Sequence, residues 1–208
     1  MGKQALLIFP CNGNGIEALD CLGSMYELVG FVDDGVEKQG CIVHGYPVFG
    51  RAVLEQYPLA KVLAVSGSPS SYQSRRQIVE DLGIAPDRYA TLIHPTASVS
   101  RLAQLGRNVL VMAGVVITSN AVIGDHVCVL PNTVIHHDAV VGAWSLIGSN
   151  VTIAGSVSIG ENCYLGSGAS IMNGLHVGDG ALVGLGSTVI RDVEENTKVA
   201  GTPARQIQ

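Results

Sequence analysis

Residues 134–160 read VIHHDAVVGAWSLIGSNVTIAGSVSIG, and in this stretch an aliphatic residue recurs at every sixth position. Neither an α-helix, with its period of 3.6 residues, nor an alternating strand, with its period of two, predicts a period of six. A hexapeptide repeat does, and it indicates a β-helix, a solenoid of short flat strands joined by tight turns. The series contains sixteen residues in strict phase: Val99, Leu105, Val111, Ile117, Ile123, Val129, Ile135, Val141, Ile147, Ile153, Ile159, Leu165, Ile171, Val177, Val183 and Val189.

Three hexapeptides make one triangular coil of 18 residues. Residues 18 positions apart should therefore stack about 4.8 Å apart, which is the spacing of neighbouring strands. The repeat predicts about five coils, roughly 24 Å tall by the same spacing. It also predicts that His137 stacks between Ser119 and Gly155, and that His126 stacks with Trp144.

The six-residue period is absent before about residue 95, so we predict two domains. Residues 1–95 would form a small α/β domain, and residues 96–208 a β-helix. The tail Val199–Arg205 would cap the open end of the last coil, because a solenoid must hide its terminal layer.

The composition of the whole chain argues against some classes of protein. A net charge of −5 argues against nucleic acid as the main partner, and no apolar run reaches the length of a membrane span. The N-terminus lacks the pattern of a signal peptide. The five cysteines are scattered and odd in number, which favours reduced thiols and a cytoplasmic location.

The first 95 residues have the pattern of a Rossmann-like βαβ unit with a parallel sheet. We interpret Tyr46–Gly50 as a loop. The predicted strands are Gln4–Phe9, Leu28–Val32 and Lys61–Val65, and the predicted helices are Ile16–Leu22, Val53–Gln56 and a segment near Tyr72–Leu82.

Polar or glycine-rich segments follow the three strands, at Gly13–Gly15, at Asp33–Asp34 and at Ser66–Ser68. Ligands of such sheets bind at the carboxyl ends of the strands, where these segments converge. Gly13, Asn14 and Gly15 form either a structural turn or a phosphate loop. Asp33 and Asp34 either hydrogen-bond a nucleotide or form a solvated turn.

One corner of the repeat departs from the small turn residues found elsewhere, at His136-His137-Asp138. An imidazole suits a general base at neutral pH, and a following carboxylate can orient it. Adjacent residues on a flat strand point to opposite sides, so the two histidines are poorly placed to chelate one metal ion. A solvated histidine pair is the alternative.

Small turn residues expose backbone groups and leave a groove between neighbouring solenoids that a coenzyme-sized ligand could occupy. Ala154, Gly155, Ser167 and Gly184 are such residues, one to three coils from His137.

The solenoid and the tail VAGTPAR at 199–205 resemble the hexapeptide-repeat acyltransferases, whose fold is a left-handed β-helix. The two-domain arrangement is similar to the NeuD/PglD-type sugar acetyltransferases. Four further features carry that resemblance: Gly13-x-Gly15, Gly30–Asp34, Thr91–Pro95 and the His137-Asp138 corner.

The resemblance implies an acetyl-CoA-dependent N-acetyltransferase acting on the amine of a nucleotide-linked amino sugar, for which we expect a UDP-4-amino-trideoxy sugar. It implies a homotrimer with sites between subunits, and no metal. His137 would be the general base, and Asp138 its orienting carboxylate. Asp33 and Asp34 would hold the nucleotide, and Gly13–Gly15 would lie near its phosphates. Acetyl-CoA would lie along Ala154, Gly155, Ser167 and Gly184.

Two departures from the family pattern stand out. Pro10-Cys11-Asn12 precedes Gly13 where the family turn is richer in glycine, and Leu146 occupies a position where some members have a second active-site histidine. Three rival functions remain open: O-acetylation of a sugar hydroxyl such as that of sialic acid, a non-enzymatic binding solenoid, and a zinc-dependent carbonic anhydrase.

Overall fold

The computed structural model describes residues 2–207, and it contains an α/β domain followed by a solenoid of two-residue strands. The strands of the α/β domain are β1 (Gln4–Phe9), β2 (Tyr26–Val32), β3 (Ile42–Val43), β4 (Tyr46–Phe49) and β5 (Lys61–Ala64). The helices are α1 (Gly13–Glu17), α2 (Val53–Gln56) and α3 (Arg75–Glu80), with 3₁₀ turns at Ala18–Cys21, Tyr72–Ser74 and Pro86–Arg88.

The sheet of this domain has the order β3-β4-β2-β1-β5, and all neighbouring pairs are parallel except β3 and β4. The chain builds outward from β1 through β2 to β4 and then crosses to the other side of β1 to form β5. The strand order therefore reverses between β1 and β5, which makes the crevice at their carboxyl ends the expected ligand site.

Two sequence predictions for this domain are wrong. Tyr46–Phe49 is a strand and not a loop, because Val48 pairs with Phe31 in parallel and is 1% exposed. Helix α1 begins at Gly13 and not at Ile16, because the side chain of Asn12 caps it: Asn12 Oδ1 accepts a hydrogen bond from Gly15 N at 2.9 Å.

The solenoid consists of strands β6 to β22, and each strand from β6 to β19 pairs in parallel with the strand 18 residues later. Each predicted aliphatic residue is the second residue of its strand. Fourteen of the sixteen are buried in one continuous core, and Val99 and Leu105 pack against it. The strands are Leu92–Ile93, Ser98–Val99, Gln104–Leu105, Leu110–Val111, Val116–Ile117, Val122–Ile123, Cys128–Val129, Val134–Ile135, Val140–Val141, Leu146–Ile147, Thr152–Ile153, Ser158–Ile159, Tyr164–Leu165, Ser170–Ile171, His176–Val177, Leu182–Val183 and Thr188–Val189.

The triangular solenoid has three faces, each one a parallel sheet. Face I contains β6, β9, β12, β15, β18 and β21; face II contains β7, β10, β13, β16, β19 and β22; face III contains β8, β11, β14, β17 and β20. Strand β6 precedes the predicted domain boundary at residue 95 and already pairs with β9. The boundary itself stays a prediction.

The turns have a period of their own. Every sixth residue from Asn108 to Gly186 has a positive φ, between 54° and 76°. This left-handed conformation is accessible to glycine and, at low cost, to asparagine and aspartate, which explains the composition of most turns. His126 and Trp144 are exceptions, with φ values of 62° and 68°. Bulky side chains in this region are uncommon and need a compensating contact.

For His126 and Trp144, the compensating contacts lie at the boundary between the two domains. The rings of His126 and Trp144 stack with centroids 3.7 Å apart and planes 6° apart, and the ring of Tyr89 from the α/β domain meets His126 edge-on at 4.8 Å. Asn108, one coil before His126, extends the edge of β5: its Oδ1 accepts from Ala64 N and its Nδ2 donates to Ala64 O, both at 2.7 Å.

The α/β domain covers face I. Outward-facing Leu110, Cys128 and Leu146 of that face share a hydrophobic cluster with Leu63 and Tyr72 of the α/β domain. The fully buried Arg75 donates from Nε to Ser66 O and from Nη1 to His126 O, so it connects the two domains through backbone carbonyls. These contacts hold the two domains in one fixed arrangement.

The tail closes the last coil. Strand β23 (Lys198–Gly201) pairs in parallel with β21, and β24 (Ala204–Ile207) folds back antiparallel on β23. Val193, and Val199 of β23 itself, are buried in the core of the solenoid. Within residues 2–207, no helix has the length and apolar character needed to cross a membrane.

His126 should make the fold sensitive to mild acid. Burial, followed by the nearby Arg75 and Arg107 charges, lowers the pKa of His126 to about 4, although Asp125 and Glu80 raise it. An unfolded histidine has a pKa near 6.5, so below that pH the unfolded chain binds a proton that the folded chain does not. The stabilisation is complete above pH 6.5 and is lost toward pH 4, by about 2 kcal/mol at pH 5.

Urea unfolding of the wild type and of His126→Asn at pH 7 and pH 5 measures this effect. Asparagine suits the left-handed turn, so the variant keeps the backbone but loses the titrating group. The wild type should lose more stability than the variant on acidification. Equal losses would show that His126 does not titrate on unfolding.

Candidate active site

The corner between faces II and III holds the paired imidazole and carboxylate. Strand β13 ends at Ile135, β14 begins at Val140, and His136–Ala139 form the turn between them. Asp138 occupies the left-handed position of this turn, with a φ of 59°. Asn120 and Ser156 occupy the same position in the adjacent coils, so their side chains stack in line with that of Asp138.

His137 and Asp138 form a hydrogen-bonded pair. His137 Nδ1 lies 2.8 Å from Asp138 Oδ2, and both side chains are more than half exposed. The second carboxylate oxygen, Oδ1, accepts a hydrogen bond from Asn120 Nδ2 at 2.9 Å. The hydrogen bond from Asn120, and then that from His137, lowers the pKa of Asp138. The carboxylate therefore stays ionised at neutral pH.

The ionised carboxylate of Asp138, which faces Nδ1 of His137, determines which ring nitrogen carries the proton when His137 is neutral. Nδ1–H donates to Asp138, and the lone pair on Nε2 is left free to accept a proton. This is the arrangement required of a general base. Asn120 lies 18 residues before Asp138, so the spacing of the repeat alone places the two side chains next to each other.

Gly155, in the next coil, packs against the imidazole of His137. A Cβ at this position would lie 2.7 Å from both Cε1 and Nε2 of His137, so any other residue here would push the imidazole out of its present position. The ring is therefore held between the glycine of the next coil and the carboxylate beside it. Gly155 was predicted to lie in the cofactor groove, and the structure shows that it contacts His137.

The four predicted cofactor residues lie at two corners. Ala154 and Gly155 are at the corner of His137, between faces II and III. Ser167 and Gly184 lie in turns between faces I and II, where Ser167 Oγ accepts from Ser149 N at 3.1 Å and Gly184 packs against Ala200 of the tail. Within one chain, face II separates the two pairs. Their role in cofactor binding stays a prediction.

The acidic residues after β2 are already paired. Asp33 is 5% exposed and accepts hydrogen bonds from Cys11 N at 3.0 Å, Gly35 N at 2.9 Å and Lys38 Nζ at 3.0 Å. Asp34 forms a bidentate pair with Arg51, at 2.6 and 2.7 Å, on the exposed surface. Exposed ion pairs are weak, so Asp34 is the residue more readily available to a ligand.

The glycine-rich segment Gly13–Gly15 offers a ligand fewer free backbone N–H groups than its sequence suggests. Gly15 N–H is already bonded to Asn12 Oδ1. Gly15 is required by packing, because a Cβ there would lie 2.3 Å from Pro10 O. Gly13 is exposed, and Asn14 is half-buried. The role of Gly13–Gly15 in substrate binding stays a prediction.

A cavity of about 240 Å³ lies at the crevice between β1 and β5. We call it the interdomain cavity, because loops of the α/β domain form one side and face I with its adjoining turns forms the other. Its lining residues are Asn14, Gly67–Pro69, Leu130, Leu146–Gly148 and Tyr164. Asn14 was predicted from the sequence, whereas the solenoid half of the cavity was not.

Within one chain, the interdomain cavity and the imidazole of His137 lie on different sides of the solenoid. The α/β domain lies over face I, and His137 lies at the corner between faces II and III, which is the corner opposite face I. Among residues 2–207, no group of three or more His, Cys, Asp or Glu side chains is arranged to hold a metal ion.

Family signatures match the solenoid. "Bacterial transferase hexapeptide (six repeats)" matches residues 102–137 and 120–155, and "Hexapeptide repeat of succinyl-transferase" matches residues 156–191. No curated protein sequence matches the chain significantly.

Solved structures match nearly the whole chain. The acetyltransferase domain of PglB from Neisseria gonorrhoeae FA1090, in complex with acetyl coenzyme A, is 30% identical over 99% of this chain and 100% of that chain, with a TM-score of 0.86. PerB from Caulobacter crescentus, in complex with CoA and GDP-perosamine, is 30% identical over 99% and 97% of the two chains, with a TM-score of 0.83. WeeI from Acinetobacter baumannii AYE is 22% identical over 99% and 100%, with a TM-score of 0.83, and this likeness supports the fold alone.

The His137–Asp138 geometry predicts an observable tautomer. Neutral His137 should carry its proton on Nδ1, and ¹⁵N–¹H correlation spectra of histidine-labelled protein above pH 8 report which nitrogen is protonated. Asp138→Ala should return the proton to Nε2, which is the preferred site of a free side chain. Asn120→Ala should give a mixture, because Asp138 is then held from one side only. A proton on Nε2 in the wild type would contradict the assignment.

Proposed function

Because this chain belongs to the hexapeptide-repeat sugar acetyltransferases, we propose that it transfers the acetyl group of acetyl-CoA to the amine of a nucleotide-linked amino sugar, with His137 as the general base. The observation that carries the proposal is the exposed His137–Asp138 pair, in which Nε2 is free and Nδ1 is fixed by an ionised carboxylate.

The ligands of the relatives support the two substrates. PglB holds acetyl coenzyme A, and PerB holds CoA together with GDP-perosamine. Acetyl-CoA would lie along Ala154, Gly155, Ser167 and Gly184. The nucleotide would reach Asp33 and Asp34 with its phosphates near Gly13–Gly15. The predicted UDP-4-amino-trideoxy sugar stays a prediction, and GDP is an equal candidate for the nucleotide.

The chemistry is a direct transfer. The neutral amine nitrogen attacks the thioester carbonyl carbon, the N–C bond forms, and the C–S bond then breaks to release the CoA thiolate. His137 Nε2 takes the proton that the nitrogen loses and returns it to the thiolate. Asp138 stabilises the imidazolium that exists between these two proton transfers.

The buried thiols of the solenoid support direct transfer over a covalent acyl-enzyme. Cys128 and Cys163 are fully buried, and burial raises the pKa of each to about 11. A thiol in this state is a poor nucleophile and is inaccessible to acetyl-CoA. Neither thiol can therefore accept an acetyl group before the sugar does.

The separation between the interdomain cavity and His137 supports the proposed homotrimer. A complete site needs the cavity of one copy and the His137 corner of another. Face II separates the two corners that carry the predicted cofactor residues, so copies packed along their solenoids would bring Ser167 and Gly184 of one copy near Ala154 and Gly155 of the next. Faces II and III have no α/β domain over them, and Val122 and Val140 of face III are exposed.

Removal of the imidazole should abolish most of the transfer. His137→Ala should lower kcat by roughly 10² to 10⁴, the usual contribution of a general base, with little change in KM. His136→Ala is the matched control, because it removes the adjacent imidazole and should retain activity. Mass spectrometry of the product distinguishes an amide from an ester. Near wild-type turnover by His137→Ala would refute the assignment, and an ester product would indicate O-acetylation.

Mixed assemblies test whether the site lies between copies. Ser68→Trp should fill the interdomain cavity, and His137→Ala removes the base, so each variant alone should be nearly inactive. Co-expressed and purified through two different tags, the mixed assembly should regain a clear fraction of the activity, because some sites then combine an intact cavity with an intact His137. No recovery would place both halves of the site in one chain.

A further inference from the structure

Arg75 is a buried charge without a carboxylate partner. Its side chain is fully buried, and burial lowers its pKa to about 10, so the guanidinium stays charged at neutral pH. Among residues 2–207, no carboxylate forms an ion pair with Arg75, and Nη2 has no hydrogen-bond partner. An unpaired buried charge costs free energy that an apolar side chain of similar volume would not cost. Packing alone therefore does not explain an arginine at this position.

The two hydrogen bonds that Arg75 does make join the two sides of the interdomain cavity. Nε donates to Ser66 O at 2.6 Å, and Nη1 donates to His126 O. Ser66 immediately precedes Gly67–Pro69, the loop of the α/β domain that lines the cavity, whereas His126 belongs to a turn of the solenoid. A guanidinium presents its donors in a rigid plane, so this one side chain sets the distance between the start of the loop and the solenoid.

Gly67 lies between Arg75 and the solenoid. A Cβ on Gly67 would be 3.0 Å from Arg75 Cδ and 2.7 Å from Leu146 Cδ1, and the φ of this glycine is 130°, a conformation that other residues rarely adopt. The first residue of the loop therefore fills a narrow gap between the stem of the arginine and a leucine of face I. A shift of the Arg75 side chain would move Gly67 as well.

The far end of the loop is anchored to the solenoid by a second side chain. Tyr72 is 5% exposed, and its hydroxyl donates to Gly180 O at 3.0 Å. Gly180 lies 54 residues, or three coils, after His126, and both residues occupy left-handed turns of the same corner. The loop Gly67–Pro69 is thus held from both ends by bonds to the solenoid that span three coils.

We propose that Arg75 and Tyr72 are positioning residues, which hold the loop Gly67–Pro69 at a fixed distance from the solenoid and so preorganise the interdomain cavity for the nucleotide-linked sugar. Neither side chain lines the cavity, so both act through the loop. This inference rests on the proposed function. Its physical basis is that a loop ordered before binding loses less conformational entropy when the ligand binds. The predicted acetyl-CoA residues do not belong to the loop, so acetyl-CoA binding should not depend on it.

The test measures KM for each substrate separately. The varied sugar is the GDP-linked or the UDP-linked 4-amino sugar, whichever supports the faster transfer. Arg75→Lys keeps the charge but offers a single ammonium, which cannot bridge the two carbonyls as the planar guanidinium does. It should raise KM for the nucleotide-linked sugar roughly tenfold, the effect of losing one hydrogen bond to a charged group. Both kcat and KM for acetyl-CoA should stay unchanged.

Tyr72→Phe tests the second anchor. It removes only the hydroxyl that bonds Gly180 O and keeps the buried ring. KM for the nucleotide-linked sugar should rise roughly fivefold, less than in Arg75→Lys because a neutral hydrogen bond contributes less than a charged one. Should Arg75→Lys fail to fold, Tyr72→Phe decides the question, since the loss of one hydroxyl leaves the packing intact.

Two matched controls separate positioning from stability. Arg88 also binds backbone carbonyls, three of them at 3.0 to 3.1 Å, but all within the α/β domain. The hydroxyl of Tyr89 likewise donates to a carbonyl of its own domain, Val79 O, at 3.2 Å. Arg88→Lys and Tyr89→Phe should lower the melting temperature, as the test variants do, and leave both KM values unchanged.

The outcomes distinguish this inference from the proposed function. A wild-type KM for the sugar in Arg75→Lys, or in Tyr72→Phe, would refute the positioning role of that residue and leave the acetyltransferase assignment intact. An equal rise in KM for acetyl-CoA, or an equal rise in KM for the sugar in Arg88→Lys, would also refute it, since the effect would then be a general loss of structure. Failure of the wild type to acetylate either amino sugar would refute the proposed function itself.

Discussion

Parallel pairing between residues 18 positions apart joins each coil of the solenoid to the next. The pairing repeats only if every sixth residue points inward and every sixth residue turns the backbone through a left-handed conformation. The aliphatic series and the series of positive φ angles satisfy these two conditions along nearly the whole solenoid. Each side chain therefore has a fixed vertical neighbour, so contacts such as that between Asn120 and Asp138 follow from the spacing of the sequence alone.

The same constraint shows which residues serve a purpose other than folding. Glycine, asparagine or aspartate fills a left-handed turn at lower cost than His126 or Trp144 does. His126 and Trp144 offset that cost by stacking at the domain boundary, where Tyr89 and Asn108 contact His126. Asp138 occupies its turn at low cost and is exposed, and its side chain hydrogen-bonds Asn120 and His137. The costly, buried turn residues are thus associated with assembly of the two domains, and the exposed turn carboxylate with the orientation of His137.

A triangular cross-section also separates the parts of the proposed site. A domain that covers one face cannot reach the opposite corner, so the cavity over face I and the base between faces II and III belong to different sides of one chain. In the proposed assembly, association of copies would resolve this separation, and the reaction would take place in a groove between copies. The rigidity of the coils matters here, because the orientation of His137 depends on Gly155 and Asp138 and not on a mobile loop.

The sequence by itself determined the repeat, the stacking partners, the Rossmann-like strands and the His137–Asp138 pair, because period and composition are local properties that tertiary packing does not override. It missed strand β4, since Tyr46-Pro47 and Gly50 have the composition of a turn and only the pairing of Val48 with Phe31 makes the segment a strand. It also missed Leu130, Leu146 and Tyr164 as part of a cavity. Only the tertiary structure decided that face I carries the α/β domain, because that choice depends on contacts between residues far apart in sequence, such as Asn108 with Ala64 and Arg75 with His126.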